Sequence, residues 1–406
     1  MQVRSTIALG RKRVSSVTAK SGLAPALRTC LLGSPPSSPG QTAAGSLLQQ
    51  LKALLPEHPL EVTGSRRIGC ELPDSDLDLV LTLSGSWTFE HLGEKFASLA
   101  GVSRLRSVIA ARVPGFEFRY HAGPGAIDVD LTVASAGAEE SALARSACSD
   151  ADQFGLVLSS AQFQRFLRLA RIVKAWARAK GLASAPFGGL PGLGWLVLAA
   201  ETVRRSSLSE PLALLEAFFA EWAVNDWREV VSLGGANGAI QRSSCAPMTI
   251  LTPTSPVRSL SEQVDQGSLQ ILTDELYGGW IAVEGALDLE SAIGELLRAP
   301  QLHRQHAAWA RVLLVPKEQG ETQTDELLGF VRGRMNALLR ALRQGSGLSV
   351  RAWPYARETS TGCELVIGLG RSPQSRMELN DLSQDWAAAR SGITVEWLAG
   401  PELDWF

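Results

Sequence analysis

The run Asp76-Leu77-Asp78-Leu79-Val80-Leu81-Thr82-Leu83 constrains this chain more than any other stretch. Within it Leu77-Asp78-Leu79-Val80-Leu81-Thr82-Leu83 reads as a β-strand, in which residues i and i+2 project from the same face. Asp76 and Asp78 then point together into one space. Like charges held so close repel unless a cation sits between them, so a divalent ion is their natural partner. The turn Gly64-Ser65 lies a short distance upstream. Its glycine lets the backbone come close to a ligand, and a serine hydroxyl with main-chain N–H groups suits phosphate oxygens. An isolated Asp-X-Asp on a strand is most often a solvated face. The turn ahead of it gives the pair a chemical setting.

A third carboxylate is expected from a neighbouring strand. Ala126-Ile127-Asp128-Val129-Asp130-Leu131-Thr132-Val133 follows the breaker-rich Ala122-Gly123-Pro124-Gly125 and reads as a short strand. Asp128 and Asp130 share a face, and Asp130 is the expected third metal-facing group. Three carboxylates can hold two magnesium or manganese ions, the arrangement that clamps an in-line phosphoryl transfer. Asp74 lies on the same alternating row but precedes the strand, as a surface residue would.

Length and composition fit a multi-domain protein with real cores: 406 residues, 45% of them apolar. No apolar run reaches the roughly eighteen residues needed to span a membrane. Cys30, Cys70, Cys148, Cys245 and Cys363 are scattered and never in Cys-X-X-Cys spacing, as free thiols in a reducing compartment would be. Before residue 57 there is no acidic side chain, while Arg4, Arg11, Lys12, Arg13, Lys20 and Arg28 lie among serines and threonines. Residues 1–45 therefore read as a disordered leader. The same composition fits an organelle transit peptide, and Gly10-Arg11-Lys12-Arg13 fits a nuclear signal.

Phe163, Phe166, Leu167, Ala170, Val173 and Ala177 form the apolar stripe of a helix. Lys174 falls at its margin, where the ammonium must either snorkel out or meet an anion. The middle of the chain is helical in pattern. From residue 298 onward the expected order is strand, helix, strand, strand, helix, strand, the ferredoxin-like split βαβ shared by RNA-recognition modules. Charges in that part nearly balance, whereas phosphate contacts need a basic surplus. Any RNA contact there is expected to be weak, from an arginine patch (Arg332, Arg334, Arg340, Arg343) on one helix.

These residues resemble the polymerase-beta-type nucleotidyltransferases, and more narrowly the eukaryotic poly(A) polymerases. The likeness runs from Gly64-Ser65-Arg66-Arg67-Ile68-Gly69 and Asp76-Leu77-Asp78 through Val173-Lys174-Ala175-Trp176-Ala177-Arg178 to Pro191-Gly192-Leu193-Gly194-Trp195. Ile250-Leu251-Thr252-Pro253-Thr254-Ser255-Pro256 and Leu297-Arg298-Ala299-Pro300 continue it, so that residues 46–395 are covered in order. The resemblance implies an α+β multi-domain fold: a nucleotidyltransferase catalytic domain at 46–150, a helical central domain at 151–297 and a ferredoxin-like, RNA-binding-type domain at 298–406. It implies Asp76, Asp78 and Asp130 as catalytic and metal-holding residues. Gly64, Ser65, Lys174, Gly192 and Leu193 are implied at the nucleotide.

Departures from the family concern the base. The family's stacking tyrosine is Ala183 here, its phenylalanine before the Gly-Ser turn is Thr63, the aromatic after it is Arg66, and a family lysine is replaced by Glu117. The expected activity is template-independent transfer of AMP from ATP to an RNA 3′-hydroxyl, with release of pyrophosphate. Transfer of another nucleotide such as uridylate, or a non-catalytic RNA-processing scaffold, are the alternatives. The expected partners are an RNA 3′ end, ATP and RNA-processing factors, for a monomer off the membrane. The expected compartment is the nucleus, with an organelle as the alternative.

Overall fold

The computed structural model describes residues 24–33, 39–84, 87–109, 113–135, 139–235, 246–317, 321–346 and 349–405. Cys245 and the basic residues up to Lys20 lie outside them. The chain is mixed α+β. Its first sheet contains β1 (Leu60–Val62), β2 (Leu77–Leu83), β3 (Val102–Val108), β4 (Gly115–Ala122) and β5 (Gly125–Ser135). The strand order is β1-β2-β5-β4-β3, and only β2 and β5 run parallel.

Alternation sorts the two faces of this sheet. Leu77, Leu79, Leu81 and Leu83 turn to one side and pack with Phe116, Phe118 and Tyr120 of β4. That face is closed by α2 (Pro39–Leu54) and α4 (Phe89–Ala97) through Leu47, Leu51, Leu92 and Phe96. On the other face, Val80 and Ala134 pack under Ala144 and Cys148 of α5 (Glu139–Val157). Asp78 and Asp130 share that second face by the same alternation, nearer the start of β2.

The central part is a helical bundle of α6 (Ser160–Ala179), α7 (Gly192–Arg205), α8 (Pro211–Ala223), α9 (Gln266–Glu284) and α10 (Leu289–Leu296). Trp176 of α6 meets Trp195 and Phe219 edge to face, at 5.3 Å and 4.9 Å between ring centroids. Such pairs contribute more than their buried area alone. The helix α6 is opened by a capping box at Ser159 and Gln162, which satisfies two of its end N–H groups.

The leader expectation is corrected in part. Residues 25–31 form α1 (Pro25–Leu31), whose Cys30 and Leu31 are buried in the central core, and Ala43, Ala44 and Leu47 of α2 are buried under the first sheet. Composition alone read this stretch as disordered, yet burial of its few apolar side chains orders it. Residues 1–23 and 34–38 lie outside the described residues.

The last part contains β6 (Ala308–Leu314), α11 (Glu321–Ser346), β7 (Arg351–Ala352), β8 (Arg357–Glu358), β9 (Cys363–Gly368), α12 (Arg376–Ala388) and β10 (Ile393–Ala399). Its antiparallel sheet has the order β10-β6-β9-β7, with β8 beside β9. Val312 and Ile367 pack on one face with Val331, Leu338 and Leu342 of α11 and Leu379 of α12. Trp309 and Val366 turn to the opposite face, where Leu403 and Trp405 lie over them. The expected arginine patch is split. Arg343 is buried and its guanidinium holds Asp265 at 2.6 Å, while Arg340 is exposed.

Candidate active site

The strand register brings the acidic residues together. Asp78 on β2 is the direct neighbour of Asp130 on the parallel strand β5, and Asp76 lies two residues before Asp78. Burial pushes the Asp78 carboxyl up to about 7, and the charges of Asp130 and Asp76 push it the same way, while Lys174 and Arg66 oppose them. Burial and like-charge crowding both oppose ionisation of this carboxyl. Asp128 is engaged elsewhere, in an ion pair with Arg119 at 3.1 Å. Asp130 is therefore the β5 carboxylate that acts on Asp78.

Gly64 sets the approach of the turn. The N–H of Thr63 donates to the Asp78 carbonyl at 2.9 Å, which carries Gly64 directly over the Asp78 side chain. A Cβ on Gly64 would lie 2.1 Å from Asp78 Oδ2, and its φ of +62° is itself unfavourable for other residues. Ser65 stands in the first turn of α3 (Gly64–Ile68), which ends at Gly69 in the left-handed region.

Three cations of α6 grip the segment between that turn and the carboxylates. Arg171 donates to the Gly69 carbonyl at 2.6 Å and Lys174 to the Cys70 carbonyl at 3.1 Å. Arg178 forms a bidentate pair with Asp74 at 2.9 and 2.7 Å. Burial pulls the Lys174 ammonium below its ordinary value, and Asp78 and Glu71 are among the charges that draw it back. Lys174 thus meets the chain's own carbonyl inside the cleft; it does not snorkel away. Arg66 donates to the carbonyls of Ser75 and Asp76, fixing the entry to β2, and its guanidinium feels both Asp78 and Asp76.

Arg66 stood out in the sequence only as a departure from the family, and Arg171 and Arg178 carried no expected role. Arg171, Lys174 and Arg178 fall at i, i+3 and i+7, one face of a helix, so a cationic stripe beside the apolar one was the available signal. Gly192 and Leu193 open α7; Gly192 is exposed and Leu193 packs at the edge of the central core.

Among the described residues, no three His, Cys, Asp or Glu side chains are grouped as a ready-made metal site. The donor set itself suits hard divalent ions, all oxygen and all anionic, and a divalent charge would relieve the repulsion that raises Asp78.

Comparison with known proteins gives the geometry a family setting. Residues 41–144 match the family model described as "Poly(A) RNA polymerase, mitochondrial-like, central palm domain". The resemblance to a poly(A) polymerase-type nucleotidyltransferase holds. In that likeness the first sheet, with its acidic register, is the palm. Nuclear poly(A) polymerase 4 of Arabidopsis thaliana is 25% identical over 250 residues, covering 53% of this chain and 33% of its own. Poly(A) polymerase of Dictyostelium discoideum is 24% identical over 249 residues, 53% of this chain and 30% of its own. The chain thus spans about a third of the length of these relatives. Among solved structures, the Cid1 poly(U) polymerase bound to MgGTP aligns with a TM-score of 0.49 at 16% identity, over 64% of this chain and 93% of that one. The structure of mtPAP in complex with UTP aligns at 0.48 and 16% identity, over 62% and 66%.

Proposed function

We propose that this protein transfers AMP from ATP to an RNA 3′-hydroxyl without a template, releasing pyrophosphate. The observation that carries the reading is the placement of Asp78 beside Asp130 with Asp76 just ahead, where burial first and those two charges second raise the Asp78 carboxyl to about 7. Asp76, Asp78 and Asp130 would hold two divalent ions, Mg2+ or Mn2+, which when bound stabilise the attacking and departing oxygens of an in-line displacement. Ser65 and Lys174 hold the triphosphate, and Gly64, by carrying no side chain, lets their turn close over Asp78. Lys174 already donates to the Cys70 carbonyl and lies within the field of Asp78, so a small swing carries its ammonium to phosphate. Gly192 and Leu193 contribute from the start of α7. The order β10-β6-β9-β7 supports reading the last part as the ferredoxin-like module.

A second reading, transfer of another nucleotide such as uridylate, is supported by Ala183, which offers no ring to a base. Nuclear residence follows the naming of the Arabidopsis relatives, and an organelle follows the family model's mitochondrial-like description. No helix among the described residues is long and apolar enough to cross a membrane.

The test is an extension assay with magnesium, a labelled RNA oligonucleotide and each ribonucleoside triphosphate in turn. Extension with ATP alone supports adenylyl transfer, and extension with UTP supports the second reading. Asp76→Ala is expected to lose about a thousandfold or more in rate, ~4 kcal/mol of barrier. Near-normal activity in that variant refutes the assignment of the carboxylates.

A further inference from the structure

The last turn of α6 is covered by a loop from a different unit. Trp353-Pro354-Tyr355-Ala356, between β7 and β8, lies across residues 178–181 and is pinned there at several points. Arg351, buried at the head of the loop, donates to the Lys180 carbonyl at 2.6 Å and to Glu275 at 2.6 Å. The Tyr355 hydroxyl donates to the Arg178 carbonyl at 2.7 Å. Trp353 and Pro354 press on Gly181, where a Cβ would lie 2.8 Å from the indole and 3.0 Å from the proline ring. The rings of Trp353 and Tyr355 meet edge to face, 5.3 Å apart at 79°, and both side chains are only partly buried.

This aromatic pair stands at a telling distance from the phosphate-binding side. From Lys174 to Lys180 the helix rises about 9 Å, comparable to the reach from the phosphates of a nucleotide to its base. The corner also belongs to the cleft. Tyr355 donates to the carbonyl of Arg178, and the Arg178 guanidinium pairs with Asp74, two residues before Asp76. Any base has a π-face, and a rigid aromatic side chain with one open side is a surface on which it can stack. Ala183, on the turn after α6, offers none.

The geometry points to Trp353 and Tyr355 as the platform for the base of the incoming nucleotide, so that base choice is made by the C-terminal module. This inference rests on the nucleotidyltransferase reading. The triphosphate is held by the palm and α6, while the base lies on a loop that three contacts to α6 hold in place. Orientation of the C-terminal module then sets which base fits.

The test measures binding of magnesium tripolyphosphate, ATP and UTP to the full chain by titration calorimetry, for wild type, Tyr355→Leu and Tyr355→Phe. Tyr355→Leu is expected to bind both nucleotides at least about fivefold more weakly, with tripolyphosphate affinity unchanged. Tyr355→Phe, which keeps the ring, is expected to stay near wild type. Wild-type nucleotide affinity in Tyr355→Leu, or a parallel loss of tripolyphosphate, overturns the platform. Failure of the nucleotidyltransferase reading has a different signature, wild-type protein that binds neither tripolyphosphate nor nucleotide, and it removes the platform with it. If Tyr355→Leu does not fold, Trp353→Phe is read instead through the ATP-to-UTP affinity ratio. A shift of at least about threefold supports the platform, and an unchanged ratio overturns it.

Discussion

At Gly64 one missing side chain shapes the whole site. The turn is drawn over β2 by the hydrogen bond from Thr63 to Asp78, and the Asp78 carboxylate occupies the space a Cβ would need. Gly64→Ala therefore either pushes Asp78 aside or lifts the turn. A displacement of about 1 Å in a reacting group can cost a hundredfold in rate, and extension activity is expected to fall by about that much or more. The backbone penalty at a positive φ is only about 1 kcal/mol, so the melting temperature should move by a few degrees. A variant that keeps its activity would show that Asp78 has no fixed place in the chemistry.

At the scale of elements, burial of Asp78 on β2, reinforced by Asp130 on the parallel strand β5, creates the electrostatic tension. A carboxyl normally near 3.8 that titrates at about 7 in the folded chain binds more protons there than in the unfolded chain. Stability from this group therefore falls as pH rises from about 4 to about 7, and the penalty is complete above that. In metal-free protein, Asp78→Asn is expected to be more stable than wild type at pH 8, on the order of 1–3 kcal/mol after allowance for partial exposure. At pH 4 the two should coincide. Added magnesium should stabilise wild type more at pH 8 than at pH 5, and Asp78→Asn much less. Calorimetric melts with and without chelator check this, and equal melts at every pH would remove the tension. The pairing of the two strands was legible in part. The alternation of both runs placed Asp76 with Asp78 and Asp128 with Asp130, but the ion pair to Arg119 that sets Asp128 apart is a cross-strand contact, invisible in one strand's pattern.

Across the whole molecule the three parts are tied by buried charges. Arg343 of α11 reaches Asp265 at the start of α9, and Arg351 reaches Glu275 of the same helix, both arginines nearly inaccessible to solvent. On the other side, Arg104 of β3 pairs with Asp325 of α11, so the C-terminal module touches the first sheet as well as the bundle. Removing one partner of a buried pair strands the other charge, at a cost of about 3–5 kcal/mol. Asp265→Ala is expected to show that loss as a lower urea midpoint, and the C-terminal module should become sensitive to limited proteolysis. An unchanged midpoint would mean that apolar packing alone holds the module. The opposite face of the C-terminal sheet is closed by its own tail: Arg357 holds Asp404 and Glu364 and stacks on Trp405.

What the amino-acid order determined by itself was whatever repeats with a local period. The β2 strand spans Leu77–Leu83 as its alternation implies, the α6 stripe buries Phe166, Ala170 and Val173, and the last part has the patterned strands and helices with one further short strand, β8, between the helices. The spacing of Gly64-Ser65 to Asp76 carried the chemistry because a turn and a strand are both short-range structures. Tertiary structure decided the rest. It ordered α1 and α2 by burying a few apolar side chains that composition could not weigh. It sent Arg343 inward to Asp265 and split an apparent patch. It also laid Trp353 and Tyr355 across the end of α6, more than 170 residues away in the chain. Those outcomes depend on which distant groups meet, and the free energy of a buried charge or a covered ring is set by the partner it finds.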